Sequence, residues 1–404
     1  QISSTTLGQA DGGSLDIQAS NIDLSGLSTG IFAETSSRAE GNAGSINLQV
    51  ETLQATEDAQ ISSTTLSQGN GGSIDIRGNR LQLETGAQIS SAVFRQGDGG
   101  SLAIQSSDIT LTGVSKFTTR HYGITTSTQS GSEGNAGSIN LDVDTLQVTE
   151  GAEISGATSG RGDGNTLTIQ ADSIEVSGVA SSDQGLSSGI VASAEPGSEG
   201  RAGSIAITAE ELRVRDQGHI SVSDLGMGDA SEFNIVANLN IAADRIFLTD
   251  GGKLTAEVAA GDEGNIVLLA DDFLIMRRGA LVSANAVNRA TGGNVTIEAP
   301  VILGLKNSDI VANAVQGDGG RINITTQAIL GLEFRSVRTP ESDITASSQF
   351  GVDGIVQLDT PDLDPSQGLI ELPGELADPS NQIATGCLVA ADNSLTLSGR
   401  SGLP

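Results

Sequence analysis

The sequence predicts an all-β protein: a single-stranded, right-handed parallel β-helix of about twelve three-strand coils, followed by an irregular C-terminal tail. Three observations predict this fold. Apolar and polar residues alternate with a period of two over short runs, which is typical of β-strands. No stretch keeps a helical period of 3.6 over three turns. A unit of 27 to 36 residues recurs along the chain, which indicates stacked repeats.

The repeats are visible as recurring sequence segments. QISSTTL occupies residues 1–7 and 60–66, and EGNAGSINL occupies residues 40–48 and 133–141. Aligning the aliphatic residue that opens each unit gives twelve positions: Ile2, Ile31, Ile61, Ile89, Ile124, Ile154, Ile190, Ile220, Leu254, Leu281, Ile310 and Ile344.

A second signature in each unit reads Asp/Asn-x-Gly-x-apolar-x-apolar, and most units then carry a further alternating pair. One unit cannot bury such an apolar face, but stacked units bury it in a continuous core. The predicted inward pairs are Leu15/Ile17, Ile46/Leu48, Ile74/Ile76, Leu102/Ile104, Ile139/Leu141, Leu167/Ile169, Ile205/Ile207, Phe233/Ile235, Ile266/Leu268, Val295/Ile297, Ile322/Ile324 and Val356/Leu358.

The third signature position is glycine in ten of the twelve units, with Asn165 and Ser231 in the others. We predict a corner with positive φ there, because glycine and asparagine tolerate that conformation best. The ten glycines are Gly13, Gly44, Gly72, Gly100, Gly137, Gly203, Gly264, Gly293, Gly320 and Gly354.

The first signature position is Asp or Asn in nine units, and stacking would place these residues at one corner. One interpretation is an Asx-turn, in which the side chain bonds the backbone two residues on. The other is a ladder of carboxylates bridged by a hard cation such as calcium. The candidate ladder residues are Asp11, Asp98, Asp163, Asp229, Asp262 and Asp318; Asn42, Asn70 and Asn135 complete the column.

Composition restricts the function. Acidic residues outnumber basic ones 50 to 20, for a net charge of -30. This balance argues against a nucleic-acid partner and against docking on an anionic membrane. No apolar run approaches the roughly 18 residues of a membrane-spanning helix, so no membrane insertion is expected. The single cysteine, Cys387, excludes an intramolecular disulfide.

Two domains are predicted: the β-helix over residues 1–358, and a proline-containing tail or cap over residues 359–404. In the tail, Leu369, Ile370 and Leu372 are the predicted apolar contacts. Because the chain opens directly on a strand at Gln1, we expect further coils, or a second copy, against residues 1–25. We also expect any signal peptide to have been removed or to lie outside this sequence.

Residues that could support catalysis are scattered. Lysine occurs only at Lys116, Lys253 and Lys306, in different units. His121 lies in a long loop, interpreted as a solvated insertion, and His219 takes a polar surface position. Gly218–His219 resembles a fragment of a polygalacturonase motif whose partner motifs are missing here. The sequence therefore predicts no enzyme, no catalytic residues and no cofactor, with calcium as the open alternative.

Aromatic residues are too few and too dispersed to predict a sugar-binding groove, and Phe233 and Phe273 are predicted to point inward. Three functions stay open at this point. They are a structural or adhesive extracellular rod, a carbohydrate-binding or carbohydrate-active β-helix, and a subunit of an extracellular filament that associates through coil ends.

The segment GNAGSI, the runs at 86–93 and 151–158, and the tail ending in SGRSGLP resemble the filamentous haemagglutinin-type secreted proteins, particularly their cyanobacterial branch. That resemblance implies a two-partner secretion exoprotein. It would be exported through an outer-membrane transporter and located outside the cell or on its surface, where it could bind a glycan. The family's secretion domain, which recognises the transporter, is not in this sequence.

Overall fold

A computed structural model describes residues 1–115, 122–181, 185–226, 237–259 and 264–360. These residues form parallel strands and no helix, stacked as a β-solenoid. The predicted all-β parallel fold is confirmed. Twelve coils are stacked in sequence order, and each coil contributes to both of two sheets. At ~4.8 Å a step, the stack is roughly 50 Å long.

The first sheet, the short-strand sheet, contains mostly strands of three to six residues. Its strands are β1 (Ile2–Thr6), β3 (Gly30–Thr35), β5 (Gln60–Ser62), β7 (Gln88–Val93), β9 (Gly123–Thr128), β11 (Glu153–Thr158), β13 (Gly189–Ala194), β15 (His219–Asp224), β17 (Lys253–Val258), β19 (Leu281–Ser283), β22 (Asp309–Val311), β25 (Glu333–Phe334) and β26 (Asp343–Thr345).

The second sheet, the long-strand sheet, contains mostly strands of 11 to 14 residues. Its strands are β2 (Leu15–Ser25), β4 (Ile46–Thr56), β6 (Ile74–Glu84), β8 (Leu102–Thr112), β10 (Ile139–Thr149), β12 (Thr166–Ser177), β14 (Ser204–Arg215), β16 (Ala237–Thr249), β18 (Gly264–Arg277), β20 (Asn294–Glu298), β21 (Val301–Leu305), β23 (Arg321–Thr325), β24 (Ala328–Leu330) and β27 (Ile355–Asp359).

Most coils therefore have two strands rather than the predicted three. The second and third predicted strands join into one long strand that bends at a small inward residue, such as Val50 or Ala171, where two outward residues follow in succession. In coils 10 and 11 this long strand is split in two: coil 10 has β20 and β21, and coil 11 has β23 and β24.

The inward aliphatic residues form one continuous hydrophobic cluster along the stack. Ile139, for example, is 1% exposed and lies in register between Leu102 and Leu167. Each inward residue thus packs on its equivalents in the coils before and after it. This repeated burial is what stabilises coils too small to fold alone.

The predicted inward columns are wrong at two positions. Val282, not Leu281, pairs with Leu254 and Ile310, because two adjacent aliphatics leave the alternation ambiguous and the strand takes the second. The inward pair of coil 8 is Leu239/Ile241, which pairs with Ile205 and Ile207. The residues predicted for that pair, Phe233 and Ile235, lie outside the described residues.

Phe273 was predicted to point inward, but it lies half-buried on the outer face. The cause is a register shift in β18, where two residues at the bend, Asp271 and Asp272, stand opposite one residue of β16. An extra residue in a strand reverses the alternation beyond it. Leu274 consequently points inward, and the next outward residue is Ile275.

The corner glycines are required by close approach of neighbouring coils, not by the positive φ that we predicted. None of the ten has a φ in the left-handed region. A Cβ on Gly137 would lie 2.0 Å from the carbonyl oxygen of Gly100 in the preceding coil, and one on Gly100 would lie 1.9 Å from that of Gly72. Gly13, in the first coil, meets only Ser4 Oγ at 3.3 Å.

The chain divides into two compact units, Gln1–Pro361 and Asp362–Pro404. All the described solenoid strands lie in the first, and the last of them, β27, ends at Asp359. The predicted tail contacts at Leu369, Ile370 and Leu372, together with Cys387, fall outside the described residues. At the first coil, Leu15, Ile17, Ile22 and Leu24 are only partly buried, and within this sequence their strand pairs with β4 alone.

Candidate functional site

The Asp/Asn corner column is a ladder of hydrogen bonds between coils. Each side-chain oxygen accepts a bond from the backbone N–H of the equivalent residue one coil later. The donor-to-acceptor pairs are Asn42 to Asp11 (2.9 Å), Asn70 to Asn42 (2.8 Å), Asp98 to Asn70 (2.8 Å), Asn135 to Asp98 (2.8 Å), Asp163 to Asn135 (2.9 Å), Arg201 to Asp163 (3.0 Å) and, further along, Val352 to Asp318 (2.9 Å).

This geometry corrects the Asx-turn interpretation. The side chains do accept from backbone, but the amide belongs to the next coil rather than to a residue two positions on. Asp and Asn are interchangeable in this role, because both offer Oδ1 as an acceptor. The corner ladder, as we call this column, therefore couples successive coils independently of the two sheets.

The premise of a cation ladder was that carboxylates are adjacent, and between Asp11 and Arg201 they are not. Two asparagines separate Asp11 from Asp98, Asn135 separates Asp98 from Asp163, and Arg201 follows Asp163. Asp229 and Asp262 lie outside the described residues. Within the described ranges, no group of three or more His, Cys, Asp or Glu side chains could hold a metal ion.

We predict that Asp98→Asn leaves stability nearly unchanged, whereas Asp98→Ala lowers the free energy of unfolding by about 1–2 kcal/mol. Asparagine keeps the acceptor for the Asn135 amide, and alanine leaves that amide without one. Urea unfolding of both variants, with and without calcium, measures this. A calcium-dependent stability that Asp98→Asn abolishes would instead support the cation ladder.

A polar column precedes the inward aliphatic of the short-strand sheet. His219 occupies it, as predicted, in register with Gly189 and Glu153 on one side and Lys253 on the other. The imidazole lies over Gly189, where an added Cβ would approach it to 2.7 Å. His219 is half-buried rather than fully exposed.

The remaining predicted basic residues do not converge. Lys306 lies in a turn after β21 with a φ of 59°, away from the strand column that holds Lys253. Lys116 and His121 fall outside the described residues. Of that set, the described residues bring only His219 and Lys253 together, in register on adjacent coils.

The same polar column ends in two fully buried aspartates, Asp309 and Asp343. Asp309 accepts the backbone N–H of Asp343 (2.9 Å) and pairs with Arg338 Nε (2.6 Å). Asp343 pairs with Arg335 and accepts from the Thr339 hydroxyl (3.1 Å) and backbone N–H. Burial raises the pKa of Asp343, but the bonds from Thr339 and Arg335 outweigh it and hold that pKa below its ordinary value.

We expect the buried Asp343 to make the stability of the fold depend on pH in the acid range. Because the folded-state pKa of Asp343 is depressed, its stabilising contribution is present above about pH 4 and is lost as pH falls through the folded-state pKa. Melting temperatures between pH 3 and pH 7 should therefore fall less steeply with acid for Asp343→Asn than for the wild type. Asp23→Asn, an exposed control, should keep the wild-type slope. Identical slopes for all three proteins would refute this role.

An amide groove of about 520 Å³ lies on the outer face of the long-strand sheet across coils 8 to 11. Asn265 Nδ2 donates to Asn238 Oδ1 (3.3 Å), and Asn294 Nδ2 donates to Asn265 Oδ1 (2.9 Å). Arg321 continues this column in the next coil. The groove is lined by Asn238, Asn265, Ile266, Val267, Asn294, Thr296, Arg321 and Asn323.

The electrostatics of the amide groove differ from those of the whole chain. Its lining holds one cation and no carboxylate, in a protein of net charge -30. Within the described solenoid, Arg321 forms no ion pair, whereas Arg161, Arg245 and Arg278 each pair with a carboxylate. Such a groove offers amide donors and acceptors spaced ~4.8 Å apart, with a positive charge at one end.

Comparisons with known protein families, curated proteins and solved structures found no match to this chain. Among the described residues, no helix is long and apolar enough to cross a membrane.

Proposed function

We propose that the chain is a secreted, extracellular or cell-surface rod with an adhesin-like structural role, exported by a two-partner secretion route and without catalysis. The observation that carries the proposal is the uninterrupted stack of twelve coils around one hydrophobic cluster. A stack of this kind sets a fixed distance between its ends. The acidic composition and the resemblance to filamentous haemagglutinin-type proteins support the location and the export route.

Labelling of intact producing cells with antibodies against the solenoid tests the location. We expect label on unpermeabilised cells or in the medium, and loss of that label after external protease or after deletion of the outer-membrane transporter. Label seen only after permeabilisation would overturn the proposal. Turnover of any polysaccharide by the purified chain would overturn its non-catalytic part.

A second candidate function, binding of an extended glycan, is supported by the amide groove. Sugar hydroxyls both donate and accept hydrogen bonds, as side-chain amides do, and repeated amides suit a repeated ligand. Arg321 would favour a glycan that carries carboxylates.

Titration of the protein with neutral and uronate-containing oligosaccharides, followed by calorimetry, tests this second function. We expect Asn294→Ala and Arg321→Ala to weaken binding at least about tenfold, which corresponds to loss of about 1.4 kcal/mol. Arg38→Ala removes the same charge at an exposed position in coil 2 and should leave affinity unchanged. Equal affinities for all four proteins, or no binding to any oligosaccharide, would exclude the groove as a glycan site.

A further inference from the structure

The outer face of the long-strand sheet changes character along the stack. One outward column is polar in its first six coils, with the residues Asp23, Gln54, Gln82, Thr110, Gln147 and Glu175, and Arg213 follows in coil 7. The next four residues in register are all apolar: Phe247, Ile275, Leu303 and Leu330.

Neighbouring columns widen this apolar surface. Phe273 and Val301 lie in register beside it, and Leu305 flanks it on the other side. We call Phe247, Phe273, Ile275, Val301, Leu303, Leu305 and Leu330 the apolar stripe. Leu330 is 54% exposed, Val301 38% and Leu305 37%, whereas Phe247, Phe273, Ile275 and Leu303 are half-buried, so the described chain leaves the stripe only partly covered. Side chains of this kind normally point into a core, and contiguous exposed ones mark interaction surfaces.

The aromatic end of the apolar stripe is ordered by its own contacts. The rings of Phe247 and Phe273 meet edge to face, with centroids 5.3 Å apart, and the guanidinium of Arg213 lies 5.2 Å from the Phe247 centroid. The surface offered to a partner is therefore preorganised, which lowers the entropy cost of binding.

We propose that the apolar stripe is a lateral interface at which a second copy of this chain packs, sheet face against sheet face. The geometry favours another sheet as the occupant. The stripe lies across four adjacent coils of parallel strands, three steps of ~4.8 Å, and stacked sheets interdigitate such side chains at about 10 Å separation. The same stripe on a second copy is a surface of matching size, and a two-fold axis would bring the two together.

The ion pairs beside the stripe agree with this occupant. Two chains of net charge -30 repel each other, but three carboxylates beside the stripe are paired: Glu211 with Arg213 (2.8 Å) and Arg245 (3.3 Å), Asp272 with Arg245 (3.8 Å), and Asp250 with Arg278. A stable interface buries roughly 800 Å² on each partner. The stripe would form the apolar centre of such an interface, and the polar columns beside it would form the rim.

Sedimentation equilibrium of the full chain over a range of concentrations and salt tests the proposal. We expect reversible association to twice the 40.8 kDa chain mass, strengthened by salt as the repulsion between copies is screened. Leu303→Gln combined with Leu330→Gln should weaken dimerisation at least tenfold while leaving the melting temperature nearly unchanged, because both side chains point outward. A chain that stays monomeric at every concentration, or a dimer indifferent to these substitutions, would overturn the proposal.

A cysteine pair identifies the surface that is used. In a Cys387→Ser background, Leu303→Cys should give a disulfide-linked dimer on oxidation. Gln147→Cys occupies the same column three coils before the stripe begins and should not. Cross-linking of both variants to the same extent would indicate random collision, and the absence of a linked dimer for Leu303→Cys would show that this face is not the contact; either result excludes the lateral interface.

Discussion

Replacing Ile139 with aspartate is expected to lower the free energy of unfolding by about 5 kcal/mol or more. The side chain is 1% exposed and packs between Leu102 and Leu167, so a carboxylate there would lose apolar packing and be buried without a partner. Because each coil contacts only its neighbours, the damage should begin in coils 4 to 6. Urea unfolding followed by circular dichroism measures the loss, and limited proteolysis locates it.

The matched control for this variant is Asn140→Asp, which adds the same charge one residue later. Asn140 points outward and is exposed, and its partners in register, Ala103 and Thr168, carry no charge. We expect a change within about 0.5 kcal/mol. Equal losses for the two variants would mean that the alternation in β10 does not separate core from surface.

Gly137→Ala is expected to cost about 2–3 kcal/mol, although it adds only one methyl group. That methyl would lie 2.0 Å from the carbonyl oxygen of Gly100, so two coils would have to move apart at the corner. Gly156→Ala is the control, because its methyl would meet nothing nearer than Thr126 Oγ1 at 3.7 Å, and Ala192 already occupies the same column.

A third variant separates close approach from backbone conformation. If Gly137 were needed for a positive φ, Gly137→Asn should be tolerated better than Gly137→Ala, since asparagine adopts that conformation more readily. If Gly137 is instead needed because the coils approach closely, both variants add a Cβ that clashes with the Gly100 carbonyl oxygen. Both should then unfold at similarly reduced urea concentrations. A Gly137→Asn protein as stable as the wild type would contradict the close-approach explanation.

The sequence was sufficient to predict the stack and most of its inward residues, because alternation and repeat length are local signals. Local signals fail where the chain departs from strict alternation. The adjacent aliphatics Leu281 and Val282 allow two registers, and the extra residue at Asp271–Asp272 turns Phe273 outward. Neither event can be recognised within a single unit, because each is defined by pairing with the coil before it.

The chemistry of the corner and of the outer face was predicted less well for the same reason. The reason for Gly137 and the hydrogen-bond partner of Asp98 both lie in a neighbouring coil. The amide groove did leave a signal: Asn238, Asn265 and Asn294 each directly precede the first inward aliphatic of their coil's strand in the long-strand sheet. The outward columns, compared across units, carry a sequence signal for both the groove and the apolar stripe.

Amide hydrogen exchange tests most directly whether the coils are held together at the corner as well as through the two sheets. We predict slow exchange in the wild type for the corner amides of Asn70, Asp98 and Asn135, which donate to the preceding coil, at rates comparable with the sheet amides. In Gly137→Ala, protection should be lost first in coils 4 and 5 and then in their neighbours. Corner amides that exchange as fast as unstructured loops, while both sheets stay protected, would contradict this account.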